Sequence, residues 1–174
     1  MSMKNLDVTP RIYVACLAAY NNGKLHGAWI EAIQDAEEIQ SEIAKMLKAS
    51  LEEGAEEHAI HGYEGFEGAS IEEYQSIESV VAIAEFVKEH GALGGKLLEY
   101  FCDLENARAA NEDNYAGEFS SLSDFARELT EETTKIAESL IYYIDYEAMA
   151  RDLEINDVLT IETGFEEVHV FWRH

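Results

Sequence analysis

The first part of the fold is decided by residues 11–33, which read RIYVACLAAYNNGKLHGAWIEAI. Apolar and aromatic residues fill most of Arg11–Tyr20 and predict a β-strand. Residues 21–23 (NNG) form a turn sequence, and Lys24–Ile33 again has the composition of a strand. We therefore expect the chain to begin with an antiparallel hairpin.

A helix and a third strand are predicted to complete this hairpin. Asp35 is placed to cap a helix that ends near Ser50. The apolar residues of this helix recur at helical spacing: Ala36, Ile39, Ile43, Met46 and Leu47. His58–Phe66 is typical of a strand that extends the sheet. Glycines at 62, 65 and 68 then interrupt the pattern, so we place a domain boundary near Gly68.

The middle of the chain is predicted to be helical. Ser70 and Glu73 have the spacing of a capping box, and the apolar face that follows continues until His90 and Gly91 end the helix. A second apolar face, which includes Phe86, predicts that this helix is covered on two sides.

Helices and then strands are predicted for the last third. Residues 111–121 read as a strand or a connector, and a serine at 121 or 123 caps a helix whose apolar stripe runs from Leu122 to Leu140. One more helix around Tyr146–Leu153 precedes two closing strands, Asp157–Glu162 and Glu166–Trp172.

Strands, helices and strands therefore follow one another in blocks, which favours an α+β fold over an alternating parallel sheet. We expect an elongated chain of three small domains. These are an N-terminal α+β domain (1–68), a helical domain (69–110) and a C-terminal α+β domain (111–174).

The charge of the chain is strongly one-sided. Its 174 residues include 36 Asp and Glu against 12 Lys and Arg, a net charge of −24. Residues 1–30 carry three basic residues and one acid, so the negative charge lies in the remainder of the chain. Sequence-independent binding to nucleic acid and binding to anionic membranes are disfavoured, because both need a positive surface. The 47% of hydrophobic residues still predict a folded core.

The sequence gives little support for a phosphate-binding, metal-binding or catalytic site. Residues 91–97 (GALGGKL) lack the spacing and the final Ser or Thr of a phosphate-binding loop. His58 and His61 fall on opposite faces of a strand, which argues against a metal site. Asp103–Asp113 offers oxygen ligands without the spacing of an EF-hand. Among 36 acids, a chance pair with glycosidase spacing is uninformative, so we expect no enzyme activity and no metal.

Two further features of the sequence predict the cellular compartment of the protein. Cys16 and Cys102 are too few and too far apart for a disulfide scaffold or a structural zinc site. Residues 1–10 lack a basic segment followed by an apolar run, and no apolar stretch approaches the roughly 20 residues of a membrane helix. A cytoplasmic protein is expected.

The acids themselves allow two interpretations. A charged face is usually only solvated, but net repulsion on this scale destabilises a compact state beyond what solubility requires. Duplex DNA carries one charge per roughly 1.7 Å of axis, so 24 negative charges match about 40 Å of duplex. Carboxylates spread along an elongated body would therefore imitate DNA.

Three segments carry a resemblance to a known family. They are residues 12–29 (IYVACLAAYNNGKLHGAW), 57–64 (EHAIHGYE) and 143–153 (YIDYEAMARDL). Together they resemble the ArdA antirestriction family over nearly the whole chain. The resemblance implies a mimic of bent DNA that is built from three small domains and dimerises through the C-terminal domain. It further implies that the protein occupies the DNA-binding groove of type I restriction-modification enzymes, protects incoming mobile DNA and needs no cofactor.

Residues 129–153 are similar to the antirestriction motif of that family. The resemblance and the outward helix positions together nominate 17 acids as phosphate mimics: Glu72, Glu73, Glu78, Glu85, Glu89, Glu99, Asp103, Glu105, Asp124, Glu128, Glu131, Glu132, Glu138, Asp145, Glu147, Asp152 and Glu154. Locally, Glu147 and Arg151 are one helical turn apart and offer a simple ion pair. Tyr142, Tyr143 and Tyr146 suit the core or a dimer contact, and we favour the core.

Two other functions remain open at this point. The first is an acidic adaptor that binds another basic, nucleic-acid-binding protein. The second is a hydrolase, which would require an aromatic-lined cleft with paired carboxylates.

Overall fold

A computed structural model describes residues 8–173 of the chain. Helices account for 49% and strands for 22% of the residues, and the strands form small antiparallel sheets, so the predicted α+β class is confirmed. Residues 1–7, which include Lys4, Asp7 and most of the segment predicted to lack a targeting signal, lie outside the described residues.

The chain divides into two compact units, residues 1–99 and 100–174. The boundary predicted near Gly68 lies inside the first unit. The division into three domains, with its second boundary near residue 110, stays a prediction.

The first unit opens with a three-stranded antiparallel sheet in the order β2-β1-β3. Its elements are β1 (Arg11–Cys16), α1 (Leu17–Asn21), β2 (Gly27–Glu31) and β3 (His58–Glu64). The predicted pairing of the first two strands is confirmed, but the first strand ends at Cys16. The one-turn helix α1 and Gly23, whose φ of 75° suits glycine, make the connection.

Helix α2 (Ala36–Lys48) covers one face of this sheet. Its apolar residues Ile39 and Ile43 are buried, as are Ile12 and Ile30 of the strands beneath. Asp35 occupies the predicted N-cap position, although its side chain makes no capping hydrogen bond. The predicted helix is thus confirmed, and its lysines stand at the end that the helix dipole favours.

Helix α3 (Ile77–Phe101) is interrupted at Gly91, whose φ of 60° and ψ of −139° are non-helical, so the predicted stop is confirmed. The predicted start at Ser70 is wrong. The carbonyl of Glu73 accepts the N–H of Ile60 at 2.9 Å, which keeps this stretch beside β3 until the helix begins at Ile77. Phe86 is buried, which confirms that the helix is covered on a second side.

The second unit has its own sheet, in the order β4-β6-β5, with all pairs antiparallel. Its elements are α4 (Leu104–Asp113), β4 (Tyr115–Phe119), α5 (Leu122–Thr133), a 3-10 helix (Glu138–Tyr143), α6 (Tyr146–Asn156), β5 (Val158–Gly164) and β6 (Glu167–Trp172). Phe125 of α5 packs with Val158, Val168 and Val170 to form the core. The predicted closing strands are confirmed.

Helix α5 starts as predicted and ends early. The Ser121 hydroxyl accepts the N–H of Asp124 at 3.2 Å and caps the helix. Thr130 and Thr133 donate their hydroxyls back to carbonyls of the preceding turn, and the chain is extended from residue 134. The apolar stripe predicted to reach Leu140 therefore breaks at Thr133.

The 3-10 helix that follows is largely solvent-exposed. Tyr142 and Tyr143 are 93% and 83% exposed, and Leu140 is 56% exposed. The interpretation of Tyr142 and Tyr143 as core residues is therefore wrong. Tyr146 is half-buried, and the Arg127 guanidinium carbon lies 5.2 Å from its ring centroid.

Candidate functional site: exposed carboxylates

All 17 acids nominated from the sequence are exposed. The described residues contain 35 of the 36 acids, because Asp7 lies outside them, and 33 of these 35 are exposed. At neutral pH a solvated carboxylate is negatively charged. The described surface therefore presents negative charge along both units.

The two exceptions are both paired with basic residues near the start of the chain. Glu64 is half-buried and forms an ion pair with Arg11, and Glu52 forms one with Lys24. Hydrogen bonds from Lys24 and then Asn22 lower the pKa of Glu52 below its ordinary value. These are the Lys or Arg to carboxylate ion pairs found among residues 8–173. Few exposed acids are thus neutralised by direct contact.

One row of carboxylates lies on the first part of α3. Glu78, Glu85 and Glu89 are spaced by seven and four residues, which places them on one face of the helix at about 100° per residue. Glu72 and Glu73 precede this row in the loop before the helix, and Glu73 lies 3.4 Å from an imidazole nitrogen of His61. Residues 72–89 thus present five exposed acids against one lysine, Lys88.

A denser row lies on α5. Asp124, Glu128, Glu131 and Glu132 share one face and are separated by four, three and one residues. At about 1.5 Å per residue the row spans about 12 Å, or about one carboxylate per 4 Å. One strand of DNA carries a phosphate per 3.4 Å of axis. The linear charge density of the row therefore approaches that of a DNA strand.

Two of the nominated acids also have a structural role. A carboxylate oxygen of Asp103 accepts the N–H of Asn106 at 2.8 Å, and one of Asp145 accepts the N–H of Ala148 at 3.0 Å. These bonds cap α4 and α6. Part of their charge is offset by the helix dipoles, as it is for Glu78 and Asp124 in the first turns of α3 and α5.

Comparison with models of protein families matches residues 12–167 to ArdA, the antirestriction protein. The chain belongs to the ArdA antirestriction family. Among curated proteins, none matches it. Membership implies an antirestriction function and an interaction with restriction enzymes.

Residues 129–153 of this ArdA chain combine acids with exposed apolar groups. Glu131 and Glu132 lie in the last turn of α5, Glu138 begins the 3-10 helix, and Glu147 lies in the first turn of α6. The predicted ion pair between Glu147 and Arg151 does not form. The remaining nominated acids are Glu99 at the end of α3, Glu105 in the first turn of α4, and Asp152 and Glu154 on α6.

The first unit has further exposed acids that are not among the nominated 17. Six of them lie on α2 and in the loop that follows it: Glu37, Glu38, Glu42, Glu53, Glu56 and Glu57. The outward helical spacing that selected the other acids was already visible on α2. ArdA's negative surface therefore begins before residue 72.

The second unit also holds a buried histidine that hydrogen bonds at both nitrogens. Nδ1 of His169 lies 2.7 Å from the Tyr115 hydroxyl, and Nε2 lies 3.0 Å from the Thr163 hydroxyl. Thr163 in turn donates to a carboxylate oxygen of Glu167 at 3.1 Å. Burial lowers the pKa of His169, although nearby Glu118 and Glu167 oppose the shift. The neutral imidazole thus ties the three strands together.

Across residues 8–173, no group of three or more His, Cys, Asp or Glu is arranged to hold a metal ion. No helix in that part of the chain has the length and apolar character needed to span a membrane.

Proposed function

We propose that this ArdA chain is a DNA mimic that competitively occupies the DNA-binding groove of a type I restriction-modification enzyme. The observation that carries the proposal is the exposure of 33 acids with few direct cationic partners. In this mechanism the carboxylates replace phosphates on the enzyme's Lys and Arg side chains. The inhibitor makes and breaks no bond and needs no cofactor.

The charge of each unit supports a distributed mechanism. Residues 1–99 contain 18 acids and 7 bases, a net charge of −11, and residues 100–174 contain 18 acids and 5 bases, a net charge of −13. Both units therefore attract a groove built for phosphates. Long-range attraction of this kind speeds association and weakens as salt screens it.

We also propose that two copies associate through the C-terminal part of the chain, which doubles the length of the mimic. A groove of about 670 Å³ beside the 3-10 helix combines apolar and aromatic side chains, among them Ile141 and Tyr142, with the charged side chains of Arg127, Glu131 and Lys135. Exposed apolar patches of this kind mark protein interfaces. Light scattering is expected to show a dimer for the native chain and a monomer for Tyr142→Asp. An unchanged mass for the variant would place the dimer contact elsewhere.

Competition on DNA tests the proposed target. Purified protein is titrated into a complex of a type I methyltransferase core with labelled duplex, and the released duplex is measured at several salt concentrations. We expect displacement that weakens as salt rises. Binding to basic proteins without displacement would instead support an acidic adaptor. A lack of any displacement at low salt would overturn the proposed mimicry.

A further inference from the structure

Two basic side chains in the groove beside the 3-10 helix lack an acidic partner. Arg127 and Lys135 line this groove, and Glu131 is the acid among its lining residues, so two positive charges stand against one negative charge. Within residues 8–173, neither basic residue forms an ion pair with a carboxylate. The unit that contains the groove has a net charge of −13. The groove is therefore a locally positive patch in a strongly acidic unit.

Arg127 is held away from the acid that lies nearest to it on the helix. Arg127 and Glu131 are four residues apart on α5, a spacing at which opposite charges can pair on a helix surface. The guanidinium carbon instead lies 5.2 Å from the ring centroid of Tyr146 on α6. Glu131 is exposed and has no cationic partner within residues 8–173. One turn of α5 thus presents a positive and a negative charge side by side, and neither is paired.

Resting on the proposed association of two copies, we infer that Arg127 of each copy pairs with Glu131 of the other. In a contact with two-fold symmetry, if one residue touches a second residue on the partner, the second residue also touches the partner's copy of the first. One pair of opposite charges on a helix therefore supplies two ion pairs across the axis. An axis perpendicular to α5 produces this pairing, with the two α5 helices antiparallel.

The signs of the charges select a second copy as the occupant of the groove. The DNA-binding surface of a restriction enzyme is basic because it binds phosphates, so it would repel Arg127 and Lys135. The occupant must carry carboxylates, and the chain supplies one at Glu131 in the position that two-fold symmetry requires. Repulsion between the two acidic units acts over longer distances and is screened beyond about 8 Å at physiological salt, whereas the paired groups are in contact.

Reversal of either charge tests this pairing through the mass of the protein in solution, measured by light scattering over a range of concentrations. Arg127→Glu places a carboxylate against Glu131 of the partner, and Glu131→Arg places a guanidinium against Arg127 of the partner. Exposed ion pairs are weak, but each variant replaces two attractions with two repulsions. We therefore expect the Kd of the dimer to rise about 30-fold for either variant.

An equimolar mixture of the two variants separates this pairing from other effects of the substitutions. In a mixed dimer, the two carboxylates of one chain face the two guanidinium groups of the other. We expect the mixture to dimerise with nearly the native Kd at a concentration where each variant alone is monomeric. The double variant Arg127→Glu, Glu131→Arg exchanges the charges within one chain and is likewise expected to dimerise.

Arg108→Glu supplies the matched control. Arg108 is exposed on α4 of the same unit and does not line the groove. Like Arg127→Glu, this substitution lowers the net charge of the unit by two, from −13 to −15. We expect a Kd close to the native value, so a difference between the two variants cannot come from overall repulsion.

Circular dichroism melting checks that each variant is folded. If the loss of the contact with Tyr146 unfolds Arg127→Glu, Glu131→Arg alone still tests the pairing, because Arg127 keeps its place on the ring. Single variants that dimerise like the native chain, or a mixture that stays monomeric, would overturn the inference. A monomeric native chain would overturn both the proposed dimer and this pairing. A native dimer that fails to displace DNA would refute the mimicry alone, and the comparison of the charge variants would still stand.

Discussion

Stepwise neutralisation of the α5 row tests whether ArdA acts through a summed field or through one contact. The row consists of Asp124, Glu128, Glu131 and Glu132, all exposed. Replacing each Glu with Gln and Asp124 with Asn removes one charge at a time and nearly preserves side-chain size. Glu and Gln have nearly equal helix propensity, so α5 is expected to persist.

The expected magnitude follows from the exposure of these acids. Solvated ion pairs contribute about 0.2–1 kcal/mol each, because water and salt screen them. With about 0.5 kcal/mol per contact, one neutralisation weakens inhibition about twofold. Removing all four charges then loses about 2 kcal/mol, or about 30-fold. The loss in log affinity should grow in proportion to the number of charges removed.

The assay is displacement of labelled duplex from a type I methyltransferase core, at low salt and at near-physiological salt. The concentration for half-displacement is measured for the native chain, the four single variants and the quadruple variant. We expect smaller differences between variants at the higher salt, because screening weakens every charge contact.

Charge-preserving variants supply the control. Glu131→Asp and Glu132→Asp keep the charge and shorten the side chain, so a summed field predicts nearly native inhibition. A discrete contact predicts a loss for the same two variants. If Glu131→Gln or Glu132→Gln alone abolished displacement in a folded protein, the reasoning from a distributed field would be refuted.

Two further predictions concern stability. A Cβ at Gly95 would lie 2.0 Å from the backbone oxygen of Glu67, so Gly95→Ala is expected to destabilise the first unit by about 1–3 kcal/mol in thermal or urea unfolding; a variant as stable as the native chain would contradict this close packing. The pKa of His169 is lower in the folded chain, so the unfolded chain binds a proton more readily. The contribution of the neutral imidazole to the free energy of unfolding is therefore fully present above the unfolded pKa of about 6.5 and is lost as pH falls below it. Urea unfolding between pH 5 and 8 should show a weaker pH dependence for His169→Gln than for the native chain, and equal dependence in both would contradict the assignment.

Local sequence patterns predicted most of the secondary structure because those patterns coincide with tertiary packing. The spacing of Ile39 and Ile43 fits a helix, and both residues are buried on the sheet. Ser121 precedes an amphipathic stretch and caps α5 as expected. Such elements are visible in one sequence, since their local preference and their burial agree.

The errors arose where two local signals competed. Ser70 and Glu73 have capping-box spacing, but Ile71 is buried and the Glu73 carbonyl bonds to β3, so the sheet holds this stretch out of a helix. In the second unit, the hydroxyls of Thr130 and Thr133 bond back to carbonyls of the preceding turn, and α5 ends at Thr133 although the apolar spacing continues. Neither competition is visible in apolar spacing alone.

The candidate site was partly predictable for a similar reason. Outward positions on a helix follow from the apolar stripe, so the exposure of the nominated acids could be foreseen. The pairing of Glu64 with Arg11 joins residues 53 positions apart and depends on the register of β1 and β3. The stacking of Arg11 on Trp29 likewise depends on the pairing of β1 with β2. Sheet register is a tertiary property that a single sequence specifies only weakly.

The position of an acid relative to a helix dipole decides whether its charge stabilises the fold. Every described helix from α2 onward has an acid in its first turn, where the dipole favours a negative charge. Asp103 and Asp145 add hydrogen bonds to this effect. Acids at such positions are stabilising, so their presence alone is weak evidence of a binding role.

Glu131 and Glu132 lie at the opposite end of a helix. They fall in the last turn of α5, where the dipole disfavours anions, and they add repulsion to a unit with a net charge of −13. Their neutralisation should therefore leave the melting temperature unchanged or raise it, while it weakens displacement of DNA. Opposite effects on stability and inhibition are typical of residues retained for function at the expense of the fold. A fall in both would mean instead that these two carboxylates support α5 itself.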